Sequence, residues 1–348
     1  MAQVQRVPSR RRAAAGLDDL LIEARQHSAE FPDVLANHAP MALAALERLG
    51  ASNERLDEYF VGYRVLHGLV PVPPPLAPVS RENWTEALGD RSRESDYRAF
   101  FEREAARLGI RDAVKAYLPK LAPGVAGSAL HPLMRLAYGI LRSDPAEVGV
   151  ALGYWAACYL PLPPATGRTP DTTDPGEVLT RVAAMPGLRR LPAYDHLWHG
   201  IRAAASDPDF APVVDWLRID EGALARVAAT SLALYAATMD FAALHAVTGT
   251  HWVRLVWTVD REPSLLRYFW QAVAALVPAI GFPKLPTDAE LETWRKLACP
   301  DWPAIMAKAA ASSDEHDISL VFTASQEEAV YGDRLYKVVA ARRVGLID

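Results

Sequence analysis

The sequence predicts an all-α fold. Three observations carry that prediction: apolar residues recur at the helical period over nearly the whole chain, alternation of period two is almost absent, and helix caps, prolines and glycines punctuate the periodic stretches. Leu17 to His27 reads as an amphipathic helix. Pro40 to Leu49 reads as the next, with Asn37 as a candidate cap, Pro40 in the first turn and Gly50 at the exit. Asn53 can cap a helix running to about Tyr63. Ser95 to Leu108 alternates charged and apolar residues at the helical period until Gly109 stops it. Ser128 precedes a helix from about Pro132 to Arg142, and Pro145 opens another through Tyr159. Leu224 to Val247 predicts one long central helix buried on most sides. Trp302 to Ala311 and Glu315 to Tyr331 complete the helical series.

Prolines cluster in two places. Pro71, Pro73, Pro74, Pro75 and Pro78 form an extended connector, and Pro161, Pro163, Pro164, Pro170 and Pro175 mark a second. A connector that long in a compact domain can be a lid or wall, or a plain surface excursion. Composition does not shift across either one, so residues 17–348 are expected to form a single large helical domain. Residues 1–16, with Arg6, Arg10, Arg11 and Arg12, are expected to form a flexible basic tail.

At 348 residues the chain can bury a core without disulfides or a structural metal. Lys and Arg number 37 against 42 Asp and Glu, a net charge of −5, so there is no basic footprint for nucleic acid. No apolar stretch reaches the length of a membrane-spanning helix. Cys158 and Cys299 sit outside any paired motif and suit a reducing, cytoplasmic setting as structural thiols. Oligomeric state leaves no signature.

Glycine-rich nucleotide loops, the nucleophile-elbow serine and paired zinc-binding histidines on a helix are all missing, which weighs against the usual flavin, nicotinamide, hydrolase and zinc-protease classes. Histidine is what remains. His38 precedes Ala39-Pro40 at a helix start, His131 precedes Pro132 at another, and His316 follows Asp314-Glu315 at a third. A residue before proline is biased away from helical geometry, so His131 is expected at a helix entrance. The positive end of a helix dipole disfavours imidazolium, and neutral imidazole is the form that binds metal or accepts a proton. His245 lies in the apolar run Phe241 to Val247 and needs a buried partner. Each of these can equally be a capping or core-filling histidine. His196 and His199, three apart on a helix expected from Tyr194, form a rival pair beside Asp195, read more readily as a groove or surface face than as a metal site. His251 is rotated about 120° from His245 on a continuous helix and reads as pocket wall or support.

These contexts resemble the questin oxidase-like family of polyketide pathways. The matching stretches are Asn37-His38-Ala39-Pro40-Met41-Ala42-Leu43, His131-Pro132-Leu133-Met134-Arg135-Leu136-Ala137-Tyr138-Gly139, Ala151-Leu152-Gly153-Tyr154-Trp155, Leu244-His245-Ala246-Val247-Thr248-Gly249-Thr250-His251, and Asp314-Glu315-His316. The resemblance implies an all-helical oxygenase that opens, or inserts oxygen into, an anthraquinone-type aromatic polyketide with O2 in a Baeyer–Villiger-like manner. It also implies that His38, His131, His245 and His316 gather around one non-haem iron, whose open positions can take O2 and a phenolate.

The sequence departs from the family at one position. The family pattern places a lysine, able to serve as a carbamate, three residues after the fourth histidine, and this chain has Ser319 there. Asp317, Glu315 or water could supply the missing ligand. A cofactorless oxygenase is the alternative, with the histidines as bases and oxyanion donors, because an electron-rich hydroxyanthraquinone can react with O2 directly. A non-catalytic binding protein for an aromatic metabolite is the third reading. Nine tryptophans and twelve tyrosines suit a flat aromatic ligand, with Tyr154, Trp155, His251, Trp252, Trp257 and Ser319 as candidate substrate contacts, though each can equally be core packing.

Overall fold

The computed structural model describes residues 14–348, so most of the expected tail lies outside the described residues. The helices in chain order are α1 (Leu17–Ala24), α2 (Ala39–Arg48), α3 (Asn53–His67), α4 (Glu94–Leu121), α5 (His131–Leu141), α6 (Pro145–Ala157), α7 (Pro175–Ala183), α8 (Leu197–Ala205), α9 (Val213–Trp216), α10 (Ala223–Thr238), α11 (Phe241–Val256), α12 (Pro263–Ala275), α13 (Asp288–Arg295), α14 (Trp302–Ala310), α15 (Glu315–Tyr331) and α16 (Leu335–Arg343). Among the described residues there is no strand, only isolated bridges, and the fold is all-α.

Side-chain caps set many of the helix starts. Asp144 accepts from the backbone of Ala146 and Glu147, Asp301 from Ala304, and Thr287 forms a capping box with Glu290. Ser52, rather than Asn53, caps α3. Asn37 stands one residue before the N-cap of α2 and accepts instead from the Ala39 N–H.

Two expectations need correction, and a third, His131 at a helix entrance, holds for a different backbone reason. The single helix expected over Leu224 to Val247 is two, because Met239 adopts a left-handed backbone (φ 48°, ψ 22°) and Asp240 caps a new helix by accepting from the N–H groups of Ala242 and Ala243. Gly109 does not end its helix. Its backbone leaves helical geometry (φ 75°, ψ 168°), kinking α4, and the helix resumes to Leu121. His131 keeps helical angles (φ −63°, ψ −30°) despite the proline after it, and the departure falls instead on Ser128, Ala129 and Leu130, all with positive φ.

The two proline-rich connectors are pinned to the surface. Asp96 accepts from the backbone of Leu76 and Ala77 in the first. In the second, Asp215 accepts from Thr166, and Gln271 donates to the Pro163 carbonyl. No helix of the described residues is long and apolar enough to cross a membrane. For the site, the decisive packing is a closed ring: α2 lies against α5, α5 against α11, α11 against α15, and α15 back against α2.

Candidate active site

Each helix of that ring carries one histidine at or near its N-terminal end. His38 is the N-cap of α2, His131 begins α5, His245 lies in the second turn of α11, and His316 is the second residue of α15. The four rings come together. Centroids lie 4.5 Å apart for His38 and His131, 5.2 Å for His38 and His316, 5.6 Å for His131 and His245, and 6.0 Å for His245 and His316.

All four share a second feature. Nδ1 of His38 lies 2.9 Å from the Ala36 carbonyl, that of His245 lies 2.9 Å from the Phe241 carbonyl, that of His316 lies 3.0 Å from the Asp314 carboxylate, and that of His131 meets the Ser128 carbonyl. These oxygens only accept, so each Nδ1 carries a proton, and in a neutral ring Nε2 is then left as a bare lone pair. Metal-ligating histidines are oriented in this way by their outer partners. Burial holds the His38 imidazole well below its usual range, aided by the neighbouring His131 and His316. Burial likewise pushes His131 down to about 4 and His245 down to about 3. These three rings are neutral at pH 7.

Local backbone explains the aim of each ring. The left-handed run Ser128-Ala129-Leu130 (φ 45°, 52° and 75°) turns the Ser128 carbonyl onto the His131 ring. Such a run of non-glycine residues is strained, and strain of this kind collects at functional sites. The break at Met239 starts α11 one turn before His245, so Phe241 can offer its carbonyl to that ring. Asp314 caps α15 and holds the His316 ring with the same carboxylate.

Of the alternatives for an anionic ligand, the structure favours Glu315. Ligand atoms of His38, Glu315 and His316 fall within 4.8 Å of one another, a group that does not include His131 or His245, and the 3.7 Å approach of Glu315 Oε1 is to the protonated Nδ1 of His38. Asp317 is committed to Arg343 and Ser312. Ser319 is buried on α15 with its hydroxyl unpartnered, beside Tyr138.

The four histidines and Glu315 line one cavity of about 410 Å³. Its apolar wall comes from Phe31, Leu35, Ala129, Trp198 and Phe241, and its mouth includes Tyr194, Asp195 and His196. The expected aromatic contacts lie elsewhere. Tyr154 donates to the Ser128 hydroxyl at 2.6 Å and faces a neighbouring cavity of about 260 Å³. Trp155 is wholly buried on α6, which is not part of the ring. Trp252 lies on the His245 side of α11 but about 10 Å further along its axis, and Trp257 ends that helix, donating to the Glu262 carbonyl. His251, on another side of α11, is fully buried against Glu327 and Arg254. The rival pair divides: His196 lines the cavity and His199 does not. Only the position of Phe241, one turn before His245, could have marked a wall residue in the sequence. Phe31 and Tyr194 to His196 arrive from loops with no such signal, and Leu197 and Trp198 from the first turn of α8.

The family model described as Questin oxidase-like matches residues 35–323, a span that holds all four histidines. No curated protein matches the chain.

Proposed function

The chain belongs to the questin oxidase-like family, and from that premise we propose that it is an oxygenase of aromatic polyketide metabolism. It acts with O2 on an anthraquinone-type substrate at a non-haem iron held by His38, His131, His245 and His316. One observation carries this reading: four clustered rings on one cavity, each with Nδ1–H committed to a neighbouring acceptor so that Nε2 is the nitrogen left for a ligand. Imidazole nitrogens suit iron, and Glu315 offers a carboxylate beside His38 and His316. Bound there, iron would supply Lewis acidity and a place for O2.

The chain's own residues account for binding and orientation. A cavity of about 410 Å³ falls within the range that holds a small organic ligand, roughly 300 to 1,000 Å³. Phe241 stands edge-on to His245 at 5.0 Å and to His316 at 4.8 Å, giving a flat aromatic substrate a wall beside the donors. The N-terminal ends of α2, α5 and α15 meet at the cavity and favour negative charge, so a phenolic substrate is held as its phenolate. The unpaired thiols of Cys158 and Cys299 fit work in the cytoplasm.

A specific observation favours a second reading. Ser319 stands where the family pattern has lysine, and converging helix N-termini favour an anion over a cation. In a cofactorless oxygenase a bare Nε2 would accept the phenol's hydrogen bond as general base while the helix N-termini stabilise the developing oxyanion. The test measures iron content after anaerobic loading, and O2 consumption with a hydroxyanthraquinone, for the wild type and for His245→Ala. Close to one iron per chain, with iron and turnover both lost in the variant, supports the iron reading. Turnover that survives chelation with little iron bound favours the second. No O2 consumption with any hydroxyanthraquinone rejects both.

A further inference from the structure

Two of the acceptors that orient the histidines come from backbone outside the long helices. The Ala36 carbonyl, which takes Nδ1–H of His38, lies in the loop between α1 and α2. The Ser128 carbonyl, which takes Nδ1–H of His131, belongs to the left-handed run before α5. Loop backbone of this kind aims a carbonyl only where the surrounding structure fixes the loop. The two rings it aims stand 4.5 Å apart between centroids.

Both pieces of backbone meet at Glu30. Its backbone pairs with Ala36 through an isolated bridge, so it stands across from the acceptor of His38. Its carboxylate lies beside the hydroxyl of Ser128, the residue that supplies the acceptor of His131. That hydroxyl oxygen accepts from the Tyr154 hydroxyl at 2.6 Å, which leaves its own hydrogen for Glu30. Ser128 and Tyr154 are both buried, and Arg91 Nε donates to the Glu30 carboxylate at 2.7 Å. Gly127 packs so closely on the Cys158 backbone, one turn after Tyr154, that no Cβ would fit there. Glu30, Arg91 and Tyr154 do not line the histidine cavity. They surround the neighbouring one of about 260 Å³, behind the rings.

We propose that Glu30 and Tyr154 are positioning residues of the site. Their side chains meet at the Ser128 hydroxyl and hold the Ser128 and Ala36 carbonyls in place, which fixes the tautomer and aim of His131 and His38 together. His245 and His316 take their orientation from the Phe241 carbonyl and the Asp314 carboxylate, and lie outside this lock. The inference rests on the reading that the four rings are the nitrogen donors of the site.

The four rings provide the test and its internal control. Long-range 1H–15N correlation spectra of the metal-free, 15N-labelled protein distinguish a ring protonated at Nδ1 from one protonated at Nε2. Each ring is assigned by the signal lost in its own His→Gln variant. Glu30→Ala is expected to turn His38 and His131 from a single Nδ1–H form into a mixture of tautomers, and Tyr154→Phe to do so for His131. In both variants His245 and His316 keep the wild-type pattern, which also shows that the fold is intact. Retention of Fe(II) through dialysis should fall about tenfold in each, the scale for losing an outer partner of a ligating histidine. Glu30→Gln, whose amide oxygen can still accept from Ser128, keeps the His131 pattern. Tyr117→Phe, which removes another buried hydroxyl, from Glu104 on α4, changes neither readout. The inference is overturned if Glu30→Ala and Tyr154→Phe leave His131 protonated at Nδ1 alone, if all four rings change alike, or if the wild type already holds His38 and His131 as mixtures. A wild type that retains no Fe(II) removes the iron reading, and the tautomer spectra then still decide this inference.

Discussion

Glu315 and Ser319 stand one turn apart on α15, on either side of His316 in sequence, and the choice of anionic ligand turns on them. The carboxylate is beside His38, while the buried hydroxyl has no partner. We predict that Glu315→Gln lowers iron retention about tenfold, the usual scale for losing a ligand or its support. Ser319→Lys in that background should restore retention when bicarbonate is present, because position 319 lies about one turn from His316 and a carbamate would replace the lost charge. Iron content of the dialysed single and double variants decides. Retention unchanged by Glu315→Gln would remove it from the donor set. The four histidines were legible in the sequence because His38, His131 and His316 sit at helix starts and His245 lies in an apolar run. Their convergence was not, since three long stretches of chain separate them. Nor could the sequence choose between Glu315 and Asp317. Arg343, from a different helix, makes that choice by occupying Asp317.

At the scale of elements, helix starts do the positioning, and some of them announce themselves while others do not. Pro145 after Asp144 and Glu315 after Asp314 are visible as cap and first turn. The break between α10 and α11 is hidden, because the left-handed residue is Met239 rather than glycine, and the apolar pattern runs straight through it. The strained turn before His131 is hidden for the same reason: Ser128, Ala129 and Leu130 carry none of the residues that prefer positive φ. Asp240 tests the role of the hidden break. It accepts from Ala242 at 2.7 Å and Ala243 at 3.2 Å. We predict that Asp240→Ala costs about 1 kcal/mol, seen as a lower urea midpoint with an unchanged slope. It should also weaken iron retention, since the Phe241 carbonyl that orients His245 sits in that first turn. A stability loss with iron retention intact would show that the cap holds the helix but does not aim the ring.

For the whole molecule, the buried histidines tie stability to pH. His131 is pushed down to about 4 and His245 to about 3 by burial, and His38 is lowered in the same direction. An unfolded histidine titrates near 6.5. Above that value the rings are neutral in both states and contribute nothing to the pH dependence. Below it the unfolded chain binds protons that the folded chain refuses, so stability falls as pH drops through 6.5 and keeps falling until the folded values are reached. A shift of this size is worth on the order of 3 kcal/mol per ring. Asp314, a charged group beside the cluster, does not oppose this over the upper part of the window, since it is held down to about 2 by its hydrogen bond with His316 and stays ionised. We therefore predict that the urea midpoint of the metal-free protein drops steeply between about pH 6.5 and about pH 4.5, before most carboxylates titrate. His245→Phe, which keeps a ring of similar shape but cannot be protonated, should flatten the profile by one ring's share. A profile that stays level over that interval, or one that the substitution leaves equally steep, would show that these imidazoles are not held neutral in the folded protein, and the same result would remove their claim to be bare nitrogen donors at neutral pH.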